Sequence, residues 1–533
     1  MRKVLVAVLF VAVGIAGCVG QQGEDAAGDG TGEEPAVNET WAERAVPHGS
    51  EHDHTDPDQH ANRSTPNFDL LGHDPLITDY HGETSGGHLC GETATEGESD
   101  LAVTHGFDND IAFVLSDVSD PANPTKVGEL ALPYSHTYDV AMTDDASYVA
   151  LAISGTDDGP DEGASSEGSS PAGPTATYTD ACGQTTVLSG HEQAPYESGV
   201  VLVDITDPSS PEVVDYAPQP VLGPHSIFAT QVEDTYHILA STTNLQHQTS
   251  YFTFFNVDET ALGPQLSQHA QYTAQQPTSD QQGDQPPLVN GHVDGWIQPH
   301  PVTNATIGYL AVWNGGFHVV EITDDGVTQV GEWNDYDASA GAGMTGQIHG
   351  ALPIEGTWND THYTFIGQEV PTRPTDRPTG QVIMMDTTEP GEPEPVARWT
   401  LPVDVEFDGS LQFSTHYTAL VDQTLFVSLY HGGVWAVDAS PEAGPELPTE
   451  GVFVPDRTSP QPPDRNRTSF DWTPTVLDVL ALPTGDLVLW DATSGIYTVG
   501  FDESVDVPSP DPWTADAWIG QDEPDEDPLL PIG

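Results

Sequence analysis

Residues 199–211 read GVVLVDITDPSSP, and the reading of this stretch decides the fold. Gly199 precedes four β-forming residues, Asp204 ends them, and Asp-Pro-Ser-Ser-Pro follows as a turn. The apolar run is too short for a helix and suits a buried strand. The phrase recurs. Clear copies begin at Gly316 (GFHVVEITDD) and Gly433 (GVWAVDASP). Looser ones start at Asp110 (DIAFVLSDVSDPANP), Tyr251, Gln381 and Gly495. Six of these seven copies carry an acid, at Asp117, Asp204, Asp258, Glu321, Asp386 and Asp438.

Each unit, about 45 to 65 residues long, has a further apolar run upstream, as in Tyr148–Ser154, Tyr309–Asn314 and Leu425–Tyr430. Several short strands per unit with turn residues between them describe a propeller blade. The expectation is an all-β, seven-bladed β-propeller over residues 67–502, with surface insertions at 155–198 and 265–290. A parallel β-helix would need shorter and more regular coils.

"VVLVDITDPSSPEVV" and "FVLSDVSDPANPTKVG" resemble the LVIVD repeat of prokaryotic cell-surface propellers, over roughly residues 85 to 502. That resemblance implies the propeller fold and a cell-surface location, and it carries no activity.

Histidine recurs just before the first strand of six units, at His88, His136, His225, His292, His349 and His416. His300 is the alternative to His292, because Gln298-Pro299-His300 could start the same strand. First strands line a propeller's axis, so these imidazoles are expected to converge on one mouth of the channel. Such a shell suits zinc, copper or iron. The same residues fit a second reading, in which each imidazole bonds within its own blade. Axial His and a metal make the plan similar to selenium-binding proteins, which include methanethiol oxidases. It is also similar to periplasmic zinc metallochaperones of uptake transporters.

The N-terminus opens with Arg2 and Lys3, an uncharged apolar run from Val4 to Ala16, then Gly17-Cys18. The run is too short to span a bilayer and suits a signal peptide over residues 1–17. Ile15-Ala16-Gly17-Cys18 resembles the lipobox of prokaryotic lipoproteins, which implies a diacylglyceryl anchor on Cys18. Residues 18–66 read as a disordered acidic tether in which His48, His52, His54 and His60 could capture a cation. Residues 503–533 read as an acidic tail. In an oxidising compartment Cys90 and Cys182 are expected to form a disulfide. Asn38, Asn62, Asn304, Asn359 and Asn466 begin glycosylation sequons.

Acids outnumber bases 84 to 11, for a net charge of −73 spread along the chain. This excludes nucleic acid as a partner, since no basic patch exists to release counterions. Uniform acidity of this degree points to an extreme halophile. The leading functional expectation is a lipid-anchored extracytoplasmic metal carrier or sensor, binding zinc or copper and serving a metal-uptake transporter. The alternatives are a copper or iron oxidoreductase and a cell-surface interaction scaffold with structural His. The halophile reading has a direct consequence. Lowering KCl from molar to about 0.1 M lengthens the Debye length from about 3 to about 10 Å. The melting temperature should then fall sharply, and an unchanged value would overturn the reading.

Overall fold

The computed structural model describes residues 64–74, 76, 88–93, 101–106, 111–132, 135–155, 175–179, 185–189, 198–219, 224–232, 235–244, 249–261, 263–275, 295–312, 315–334, 348–369, 381–401, 414–430, 432–455, 476–491, 495–505 and 507. Every regular element among them is a β-strand.

The first strand, β1 (Phe68–Asp74), is followed by blade 1: β2 (His88–Thr93), β3 (Leu101–Gly106), β4 (Ile111–Asp117) and β5 (Thr125–Ala131). Blade 2 holds β6 (Ser135–Met142), β7 (Tyr148–Gly155), β10 (Ser198–Asp204) and β11 (Glu212–Pro218). Between its second and third strands stands a separate hairpin, β8 (Thr175–Thr179) and β9 (Thr185–Ser189). Blade 3 runs through β12 (Pro224–Val232), β13 (Thr235–Asn244), β14 (Thr249–Thr260) and β15 (Gly263–Gln275). Blade 4 comprises β16 (Gly295–Pro299), β17 (Thr306–Val312), β18 (Gly316–Thr323) and β19 (Gly326–Trp333). Blade 5 has β20 (Ile348–Pro353), β21 (Tyr363–Gln368), β22 (Gln381–Asp386) and β23 (Glu394–Thr400). Blade 6 has β24 (Thr418–Val421), β25 (Thr424–Ser428), β26 (Val434–Asp438) and β27 (Thr449–Phe453). The last three strands are β28 (Val476–Ala481), β29 (Leu487–Asp491) and β30 (Gly495–Phe501).

β1 completes the seventh blade by pairing antiparallel with β30, Phe68 opposite Phe501 and Asp74 opposite Ile496. First strands touch in turn, β2 to β6, β12, β16, β20, β24, β28 and back to β2, so they line the axis. The molecule is a closed seven-bladed β-propeller. Each blade is a separate four-stranded sheet, and the radial arrangement leaves only short edges at the outer strands.

The recurring phrase is the third strand of every blade. β4 and β10 are buried along their whole length except the terminal acid, and β5 and β11 beside them are half-buried to exposed. Burying one such Val or Leu contributes about 1.5–3 kcal/mol. The apolar core is divided into seven clusters, each between two neighbouring blades. Ala102, Ile111 and Val114 of blade 1 meet Val488, Trp490 and Ile496 of blade 7, so the closing interface is as apolar as the rest.

The recurring acid shapes the turn after that strand. Asp117 Oδ1 accepts the Ser119 N–H at 3.0 Å and its hydroxyl at 2.5 Å. Asp204 does the same with Thr206, at 2.9 and 2.7 Å. Asp386 and Asp438 accept the N–H two residues on, from Thr388 and Ser440. Such self-bonded turns are why Asp ends these strands. In blades 3 and 4 Asp258 and Glu321 lie inside longer strands instead.

Every outer strand also carries a β-bulge at the same place, which kinks it. The residue just past the bulge is Gly72, Gly128, Asp215, Ala270, Gly331, Ala397 or Gly451. Six of these are Gly or Ala, and at Gly72, Gly128, Gly331 and Gly451 another segment presses there. A Cβ on Gly128 would stand 1.9 Å from the Pro208 carbonyl oxygen, in the turn of the next blade, and one on Gly331 would stand 2.0 Å from that of Pro390. On Gly72 it would meet Pro121 at 2.4 Å.

Two boundaries differ from the sequence expectation. Residues 265–275 belong to the outer strand β15 rather than to an insertion. Their Gln-rich composition reads as a loop because an outer strand is largely exposed. Residues 64–66, expected in the tether, are tied to blade 6: the Thr65 N–H donates to the Val452 carbonyl at 2.9 Å and the Val454 N–H to the Ser64 hydroxyl at 3.2 Å. The signal peptide, Cys18, most of the tether, most of the tail and Cys182 lie outside the described residues, as does the side chain of Cys90.

Gly331→Val should destabilise the propeller by about 3 kcal/mol, because the Pro390 turn cannot stay where it is. Val396→Ala, at the exposed bulge of blade 5, should change stability by less than about 0.5 kcal/mol. Denaturant midpoints in molar KCl measure both, and equal shifts would overturn the docking argument.

Candidate metal centre

In an antiparallel blade the start of the first strand lies beside the end of the second. Ile348 of β20 is opposite Gln368 of β21, for example. The first strand bulges near its start in blades 2, 3, 5 and 7, at Tyr138, His225, His349 and Leu477. His416 holds the same place in blade 6, ahead of Tyr417, whose carbonyl accepts the Ser428 N–H. Side chains there meet their neighbours around the axis. Tyr138 stacks on His225 with centroids 5.3 Å apart, and the His349 and His416 rings are 4.2 Å apart.

His349, His416 and Glu369, which follows β21, form one buried cluster. One ring nitrogen from each imidazole and one carboxylate oxygen lie within 4.8 Å of one another. All three residues are at most 5% exposed. His416 Nδ1 stands 2.9 Å from the Leu477 carbonyl oxygen. A carbonyl only accepts, so Nδ1 carries the proton and Nε2 keeps the lone pair that a metal needs. His349 Nε2 is 3.8 Å from Glu369 Oε2. The Tyr430 hydroxyl donates to Glu369 Oε1. Burial pushes the Glu369 carboxyl up to about 8, against the opposing hydrogen bond from Tyr430. A cation among these three residues would favour the charged carboxylate. Two neutral imidazoles and a carboxylate could hold zinc, copper or iron.

The other expected ligands are placed as follows. His225 is half-buried against Tyr138, with Nδ1 3.4 Å from the Ser226 hydroxyl. His136 stands two residues before Tyr138, the blade 2 counterpart of His349, so the six histidines do not share one register. The side chains of His88 and His136 lie outside the described residues, as do His292, His48, His52, His54 and His60. His300 lies at the far end of β16. Its Nε2–H donates to the Thr387 carbonyl at 2.9 Å, and its Nδ1 accepts the N–H groups of Val302 and Thr303. Asn304 and Asn359 are exposed on turns, and Asn38, Asn62 and Asn466 fall outside the description.

Two residues of the cluster are absent from the sequence expectation, Glu369 and its partner Tyr430. Glu369 had a signal: it directly follows a wholly buried strand beside an expected His. In a chain with 84 acids that signal is faint.

No protein-family model matches the chain, and no curated protein matches it. Solved structures similar to it include the WD40 repeats of RRP9, 9% identical with a TM-score of 0.42, covering 82% of this chain and 98% of that one. The periplasmic gluconolactonase PpgL of Pseudomonas aeruginosa is 12% identical with a TM-score of 0.43, covering 78% of this chain and 92% of that one. These likenesses extend to the propeller shape alone and lend the chain no activity.

Some histidines are structural, and acid should expose them. His362 Nδ1–H donates to the Gly356 carbonyl at 2.8 Å, and Nε2 accepts the Tyr309 hydroxyl at 2.9 Å, so the fold needs the neutral ring. Burial lowers its pKa to about 4, and lowers that of His300 beside it. Stability from a neutral ring is fully present above about pH 6.5 and is lost as pH falls towards 4. Wild type should therefore lose on the order of 3 kcal/mol against His362→Gln over that window. Denaturant titrations in molar KCl test this, and parallel pH profiles would overturn it.

Proposed function

We propose that this chain is an extracytoplasmic, lipid-anchored propeller that carries a zinc or copper ion at the axial His349–Glu369–His416 cluster. The observation that supports it most is the placement of three donor groups from two neighbouring blades within 4.8 Å in a buried setting. The His416 tautomer adds to it, since its Leu477 bond leaves the outer nitrogen basic. Three protein donors leave a position for water or a passing ligand, which suits a carrier that must also release its ion. The resemblance to LVIVD-repeat surface proteins and the lipobox at Cys18 support the location. His48, His52, His54 and His60 in the tether would serve capture, and a metal-uptake transporter is the natural recipient.

A second reading, a copper or iron oxidoreductase, draws on the same open position and on Tyr417. The Tyr417 ring lies 4.5 Å from His416 and 5.0 Å from His349, close enough to shield or modulate a redox ion. Turnover of a small sulfur compound would favour it over carriage.

The test uses untagged full-length protein from the membrane fraction in molar KCl, washed with a weak chelator. Metal analysis should find about one zinc or copper per chain, lost in His349→Ala and in Glu369→Gln. The Cys18→Ser protein should move to the medium with its ion retained. Wild type that stays metal-free after zinc is added would leave the scaffold reading.

A further inference from the structure

Building on the metal reading above, we infer that Tyr430 sets the choice of ion by restricting Glu369 to one donor oxygen. Tyr430 is the blade 6 counterpart of Glu369. Ile366 pairs with Ala351 and Val427 with Thr418, and Glu369 and Tyr430 each lie three residues further on. The tyrosine is unusually well fixed. Its backbone has φ of +47°, a left-handed conformation that a bulky residue holds only under restraint. The restraint comes from blade 7, where the Tyr430 N–H donates to Val476 at 3.0 Å and the Val476 N–H donates back at 2.9 Å. The ring stands edge-on to His416 with centroids 5.5 Å apart. Its hydroxyl ends on Glu369 Oε1, in blade 5. Three blades thus position a single O–H.

Oε1 is held by the Tyr430 hydroxyl, and Oε2 stands 3.8 Å from His349 Nε2. An ion there meets two nitrogens and one oxygen. Zinc and its neighbours accept three such protein donors. Calcium takes six to eight oxygens, often from bidentate carboxylates, and magnesium keeps an octahedral oxygen shell. Denying the second oxygen therefore selects against the hard cations that a surface with 84 acids gathers. Without the hydroxyl the carboxylate is free to turn and offer both oxygens.

Cobalt(II) is the probe, added to the full-length chain and to Tyr430→Phe, with zinc affinity measured alongside in the presence of magnesium and calcium. Wild type should show the intense visible bands of a four-coordinate ion. In Tyr430→Phe those bands should weaken as coordination rises, and zinc affinity should fall roughly 10-fold. Metal-free Tyr430→Phe should stay folded but melt somewhat lower, because the buried Glu369 carboxyl loses its hydrogen bond. Equal cobalt spectra and zinc affinities in the two proteins would overturn the inference. So would weak six-coordinate bands in wild type, a result that needs no variant. A wild-type chain that takes neither cobalt nor zinc would instead overturn the metal reading itself.

Discussion

The ring depends on one contact repeated around it: a turn of one blade seated on the kinked outer strand of the blade before. The bulge kinks the outer strand, and a small residue just past it leaves room for a carbonyl of the next turn. At Gly128 the visitor is Pro208, at Gly331 Pro390, and at Gly72, across the closing joint, Pro121. The Thr498 hydroxyl also donates to the Pro121 carbonyl, so the joint between the first and last blades is hydrogen-bonded as well as docked. The apolar clusters between blades supply most of the burial but little direction, because aliphatic contact is not directional. The docked turns supply the angle. That angle fixes how closely neighbouring first strands approach at the axis.

The approach at the axis is what brings His349 and His416 together, since neither blade alone supplies the cluster. Each blade contributes one imidazole from a first strand and one group from the end of a second strand, Glu369 in blade 5 and Tyr430 in blade 6. Buried carboxylates are costly unless paired or hydrogen-bonded. Glu369 is only 5% exposed, and the one hydrogen bond it takes from Tyr430 does not offset burial, as its raised pKa shows. A propeller gains nothing in stability by keeping such a group. On the reading proposed above, a cation at the cluster would offset that cost by favouring the charged carboxylate.

The fold was legible because its signals are local. Asp204-Ile-Thr-Asp207-Pro208 is a turn wherever it occurs: Asp207 accepts the Ser209 N–H and hydroxyl much as Asp204 accepts those of Thr206. Seven copies of such a phrase count the blades without any knowledge of their contacts. The site was legible only in part. His349 and His416 stood out by recurrence, yet the same recurrence included His136, which stands two residues before Tyr138, the residue at the shared bulge of blade 2. A bulge leaves no mark in composition, so which residue of a first strand occupies it is read from the strand pairing alone. His300 looked like a ligand but has both nitrogens committed to backbone groups, which only the turn after β16 reveals. Glu369 and Tyr430 were hard to see because Glu369 is one acid among 84, and because their bond crosses 61 residues of chain.

The acidic exterior and the buried cluster set opposite demands on cations, and their separation reconciles them. Exposed carboxylates such as Asp207 and Asp502 bond to their own turns and still face water. They gather hard cations loosely and without selection. The cluster at the axis lies beneath aromatic rings, Tyr417 and Tyr430 among them, and offers mostly nitrogen. On the reading proposed above, low polarity there would strengthen each donor's hold on a divalent ion. Concentration at the surface and selection in the interior would then be consecutive steps, carried out by different residues of the same chain. On that reading the two imidazoles would exclude what the carboxylates collect.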